Sequence, residues 1–182
     1  MRSKVAVAGH SLHPALVVLP LGLLGISPLW DILHLATGDL LWGAIAFWTI
    51  AAGVVTALAA AIPGFIDYFA VPPNSRARNV ATWHMVLNLA MVGLFLLSLA
   101  GRAAFPRGYA HAGLAAMLPA WLAVVVALVS GWLGGELVLR HGIGVDDDAS
   151  PNATSSLRSR RRPPRGRPIE VIRGPAGSPT KA

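Results

Sequence analysis

Six side chains stand out as able to do chemistry: His10, His13, Asp67, His84, Glu136 and His141. Imidazole and carboxylate donors together suit a transition metal such as iron, zinc or manganese. Two imidazoles alone suit the axial positions of a b-type haem. The spacing hints at repetition, because His13 precedes Asp67 by 54 residues and His84 precedes Glu136 by 52. Each half of the chain then reads as a His at the start of one segment and a carboxylate near the end of the next. The absence of cysteine excludes thiol catalysis, disulfides, Cys-ligated zinc and an iron–sulfur cluster carried by this chain. No residue is assigned as catalytic, and enzyme activity is left open.

The elements that must position these groups are apolar. The chain is 54% hydrophobic and only 13% charged, about half the charge usual for a soluble domain. Four segments reach the roughly 20 apolar residues needed to cross a bilayer as helix: about 14–35, 40–69, 80–100 and 113–139. None shows the alternation of a barrel strand. Short connections at 36–39, 70–79 and 101–112 make neighbouring spans antiparallel. The expected fold is all-α, an integral membrane four-helix bundle of up-down topology over residues 1–145, followed by a tail at 146–182. The basic start Met1–Lys4 runs into an apolar stretch without a small-x-small cleavage pattern, so it reads as the approach to the first span.

Thirteen of the 15 Lys and Arg fall on the side of Arg2, Lys4, Arg76, Arg78, Arg140 and the tail, against Arg102 and Arg107 on the other. The positive-inside rule places both termini in the cytoplasm of a bacterial inner membrane. All six chemistry-bearing residues then share the cytoplasmic layer. His10 and His13 do not act as a helical i, i+3 pair, since Pro14 disfavours helix at His13 and suits the first helical position. Asp67 and Glu136, being carboxylates within spans, call for partners, and Arg76, Arg78 and Arg140 are the candidates. Asp31, His34, Asp39 and His111 on the opposite side read as interfacial. Trp30 and Trp42 fit one aromatic belt, Trp83 and Trp132 the other.

The tail, with Asp146–Asp148, Arg158, Arg160–Arg162, Pro163 and Pro164, cannot bury a core and is expected to be disordered. Its basic residues explain the high pI without invoking nucleic acid, and they suit anionic lipid headgroups.

Gly9-His10-Ser-Leu-His13-Pro14-Ala, Pro63-Gly-Phe-Ile-Asp67-Tyr, Arg76/Arg78, His84, and Gly134-Gly-Glu136-Leu with Arg140-His141-Gly142 resemble, in order and in helix context, a bacterial family of predicted membrane proteins, domain of unknown function 2231. The resemblance spans about residues 8–145. It implies a four-helix membrane protein with no assigned reaction. The occurrence of a Rieske-type domain in some members of the family implies redox traffic, here with a separate redox protein. Two readings stand. One is a metal- or haem-binding redox component using His13, His84, Asp67 and Glu136, with His10 and His141 nearby. The other is a structural or scaffolding protein whose polar layer is a salt-bridge and capping network.

Overall fold

The computed structural model describes residues 2–147 and 149–156. Four helices follow one another: α1 (Leu12–Thr37), α2 (Leu40–Ala70), α3 (Arg76–Ala103) and α4 (Leu114–Leu139). All four are long and apolar enough to cross a membrane. A one-turn 3-10 helix, Tyr109–His111, sits in the last connection. A minimal hairpin pairs Ala6–Val7 with His10–Ser11 ahead of α1. The α1 and α3 starts and the α2 and α4 ends share what is termed here the proximal end. The α1–α2 and α3–α4 connections lie at the distal end.

Helix limits follow from local chemistry. Asp39 accepts the amide of Leu41 and Ser75 that of Arg78, so α2 and α3 begin on capped first turns. Gly38, at φ 70°, ends α1 in the left-handed conformation that glycine adopts most cheaply. The helices overrun their apolar runs: α3 begins at Arg76 rather than near Val80, and α1 at Leu12 rather than at Pro14. His13 and Pro14 therefore lie inside the first turn of α1. This turn tolerates proline because its N–H groups have no intrahelical acceptor.

Packing is closest within the α1–α2 hairpin and within the α3–α4 hairpin. The two hairpins repeat each other. The buried residues of α1 are Pro20, Leu24, Ser27 and Asp31. Each has a buried counterpart 71 positions later in α3: Met91, Phe95, Ser98 and Arg102. Ala46, Ile50, Gly53 and Ala60 of α2 correspond in the same way, 70 positions on, to Ala116, Ala120, Ala123 and Ser130 of α4. All of these but Ile50 are small and let backbones approach closely, as membrane helix interfaces require. The core joins both hairpins through Leu24, Ile50, Val54, Met91, Phe95, Ala120 and Ala123. The outward faces carry exposed Leu, Val, Ile and Trp, among them Trp48, Trp83, Leu128 and Trp132, as suits a surface solvated by lipid.

Beyond α4 the chain turns back. Ile143 packs on Val71, Ala81 and Leu137, and Arg2 pairs with Asp146 at 2.6 Å. The start of the tail is thus tied to the N-terminal segment. Of the tail expected to be disordered, 146–182, residues 148 and 157–182 lie outside the described residues.

Candidate functional site

His13, in the first turn of α1, directs Nδ1 to the backbone carbonyl of Ala60 on α2 at 2.8 Å. His84, two turns into α3, directs Nδ1 to the carbonyl of Ser130 on α4, also at 2.8 Å. The two bonds join equivalent residues of the two hairpins. Because a carbonyl only accepts, Nδ1 carries the proton in both rings, and in the neutral imidazole the lone pair falls on Nε2.

Glycine makes each bond possible. A helical carbonyl points toward the turn ahead, beside the side chain four residues on. Here that residue is Gly64 for Ala60 and Gly134 for Ser130. A Cβ on Gly64 would lie 2.8 Å from Nδ1 of His13, and one on Gly134 would lie 3.0 Å from Cε1 of His84. The ring occupies the space a side chain would fill. The repeated unit is therefore histidine, carbonyl and glycine.

The two imidazoles differ in what surrounds Nε2. The Asn88 side-chain amide lies 3.1 Å from Nε2 of His84 and also donates to the His84 carbonyl at 2.9 Å. Ser130 Oγ adds contacts of 3.1 and 3.2 Å to the ring and carbonyl of His84.

The carboxylates do not join this pair. Asp67 accepts Ser3 Oγ at 2.8 and 2.6 Å and the Lys4 amide at 2.7 Å. It holds the N-terminal segment against the end of α2. Glu136 pairs with Arg140, one turn on, at 3.2 Å, with 28% and 75% of the two side chains exposed. By the 70-residue offset Glu136 corresponds to Ile66 and Asp67 to Leu137, so the carboxylates are not repeat-related. His10 is exposed and bonds the carbonyl of Ala8 at 3.2 Å. His141 lines a groove with Arg76, Asn79, Val80, Glu136 and Arg140. Arg78 donates to the carbonyls of Tyr68 and Val71 at 2.6 and 3.3 Å, with its guanidinium 3.7 Å over the Tyr68 ring. It closes the C-terminus of α2 rather than meeting Asp67. Among the described residues, no three His, Asp or Glu gather as a metal site would need.

The distal end holds what the sequence reading passed over. Asp31 is buried rather than exposed at its helix end, and Arg102 lies within α3 rather than in a loop. Both are 0% exposed, and Arg102 Nη2 meets Asp31 Oδ2 at 2.7 Å. Trp121 of α4 donates to the same oxygen at 3.1 Å. Arg102 Nε reaches Ser98 Oγ at 3.2 Å, and Ser98 donates to the Ala116 carbonyl at 2.6 Å. Asp31 and Arg102 are equivalent residues of the repeat and touch each other, which puts them on the pseudo-two-fold axis relating the hairpins. The available signal was one acid and one base at the same depth of two parallel spans.

The family model for DUF2231, described as a predicted membrane protein, matches residues 9–147. The chain belongs to this family. The match ends at Asp147, within the turns that follow α4, and it includes both histidine–carbonyl–glycine units and the Asp31–Arg102 pair. No curated protein and no solved structure matches the chain. It is a membrane protein of four candidate spans set in a lipid bilayer.

Proposed function

We propose that this protein is a redox component of the bacterial inner membrane, holding a b-type haem between His13 and His84 near the cytoplasmic face. The observation that supports this reading is the matched orientation of the two rings. Imidazoles that ligate a metal typically give their other N–H to a carbonyl or carboxylate, which fixes ring and tautomer. Both rings here do so, from equivalent positions of two hairpins. A bare metal ion needs about four protein or solvent donors, whereas a haem brings four nitrogens of its own and asks the protein for two. With Asp67 and Glu136 engaged elsewhere, two imidazoles fit haem better than a bare ion.

When bound, the haem supplies one-electron chemistry. The chain's residues would orient it, with Nε2 of His13 and His84 as ligands. Asn88 would have to turn from Nε2 of His84, a turn that leaves its donation to the His84 carbonyl possible. A separate redox protein would exchange electrons with it, and the basic tail would rest on anionic headgroups.

The test is the visible spectrum of the full chain purified from cells supplied with haem precursor. A reduced-minus-oxidised haem signal near one haem per chain, lost in both His13→Ala and His84→Ala, is the expected result. Well-folded wild-type protein with no haem would leave the structural reading. That reading has its own support in Asp67 clamping Ser3 and Lys4, and in Arg78 closing α2. Reporter fusions test the orientation: periplasmic after residues 38 and 106, cytoplasmic after residues 75 and 150.

A further inference from the structure

At the proximal end, α3 and α4 line a groove of about 420 Å³ with Arg76, Asn79, Val80, Glu136, Arg140 and His141. Small-molecule sites begin at about 300 Å³, so a polar headgroup fits here and a whole lipid does not. Arg76 is the first residue of α3, and Arg140 follows the last residue of α4. The groove therefore lies at the ends of two candidate spans, in the layer where a bilayer places its phosphates.

Its charge favours an anion. Two guanidiniums stand with one carboxylate, and Glu136 is already engaged by Arg140 at 3.2 Å. Guanidinium forks suit phosphate oxygens, which they can hold in pairs, and Asn79 and His141 add neutral donors. The other hairpin lacks this chemistry. Seventy positions before Glu136, Arg140 and His141 stand Ile66, Ala70 and Val71, so a basic groove is not a general product of a helix end.

Deeper along the same two helices the surface is aromatic. Trp83 stands one turn beyond Asn79 on α3, and Trp132 one turn before Glu136 on α4, so each shares a face with groove residues. They are 63% and 69% exposed. At 1.5 Å per residue they lie about 10 Å deeper than the two arginines. A ligand with its anionic head among the arginines would meet lipid-facing tryptophan directly below. A free phosphate would use only the upper part of this surface.

We propose that the groove binds one anionic phospholipid, its phosphate held between Arg76 and Arg140 and its acyl chains lying along Trp83 and Trp132. Basic pockets between membrane helices hold such headgroups.

The test is native mass spectrometry of the full chain in detergent, titrated with phosphatidylglycerol, phosphatidylcholine or inorganic phosphate. The expected result is one phosphatidylglycerol retained in preference to phosphatidylcholine, with affinity about fivefold lower in Arg76→Gln. Glu136→Gln removes the competing carboxylate and should bind at least as well as wild type. Every variant keeps the tail, so the differences report on the groove, and melting curves check folding. Phosphatidylglycerol brominated on its acyl chains should quench more tryptophan fluorescence than brominated phosphatidylcholine. That excess should disappear in the double variant Trp83→Phe, Trp132→Phe. Equal retention of the two lipids, full affinity in Arg76→Gln, or weaker binding in Glu136→Gln would overturn the proposal. Displacement of the lipid by an equal concentration of inorganic phosphate would overturn the assignment to a lipid and leave a free-phosphate site.

Discussion

The two ends of the bundle solve the same problem in opposite ways. At the proximal end, polar side chains are half-buried or exposed and bond mainly to backbone: His13 to Ala60, His84 to Ser130, Arg78 to Tyr68 and Val71, Asp67 to Lys4. At the distal end, two charged side chains are completely buried and answer chiefly to each other. The difference teaches that sequence distance from a helix end is a poor guide to depth. Arg102 is the second-last residue of α3 and Asp31 lies two turns from the end of α1, yet both are more deeply buried than His84 in the third turn of its helix.

This contrast can be broken by substitution, and the distal pair should break hardest. Arg102→Met strands the Asp31 charge and should cost about 3–5 kcal/mol, read as a fall in detergent-denaturation midpoint. Adding Asp31→Leu to it should restore most of that loss, since a buried pair can often be replaced by apolar residues of similar volume. A double variant no better than the single would mean that the site supplies more than charge balance.

Next in size come the glycines. Gly64→Ala and Gly134→Ala each drive a methyl into an imidazole and should cost about 1–3 kcal/mol. Imidazole NMR should show the Nδ1–H bond lost at His13 in the first variant and at His84 in the second. If both rings keep their bonds, the glycines are not what admits them.

Asp67→Ala removes the anchor of the N-terminal segment. It should cost about 1 kcal/mol, with faster amide exchange at residues 3–7 as the specific readout. The smallest effect belongs to Glu136→Gln. Its i, i+4 pair with a largely exposed Arg140 is worth about 0.3–0.5 kcal/mol at most. A loss as large as that of Arg102→Met would show that Glu136 has a buried role its geometry does not display.

Much of the fold was legible because apolar length is a strong signal. The four spans follow from it to within a few residues, and the largest misses have local causes. Ser75 caps α3 and draws Arg76 and Arg78 into its first turn, and the small hairpin at Ala6–Ser11 starts α1 one residue before His13. The repeat was legible in kind and misread in register. The carboxylates suggested it, although Asp67 and Glu136 are not equivalent. The histidines and the glycines behind their carbonyls carry the true offset. Those glycines gave little warning, because a glycine in an apolar span has many uses. The Asp31–Arg102 pair was missed because each residue was weighed alone, near a loop, where charge is cheap. Only their common offset of 71 residues shows that the axis makes them neighbours.

The location of that pair on the axis decides how the halves recognise each other. Suppose two copies of the first hairpin associated as the two hairpins do here. Asp31 would then face a second Asp31 in a dry interior, and two copies of the second hairpin would set Arg102 against Arg102. Either self-pairing buries like charges with no counter-ion. Acid in one half and base in the other thus make the hairpins obligate complements. Separately expressed segments, cut at the Pro72–Pro73 turn, should assemble as unlike pairs and reject their own kind.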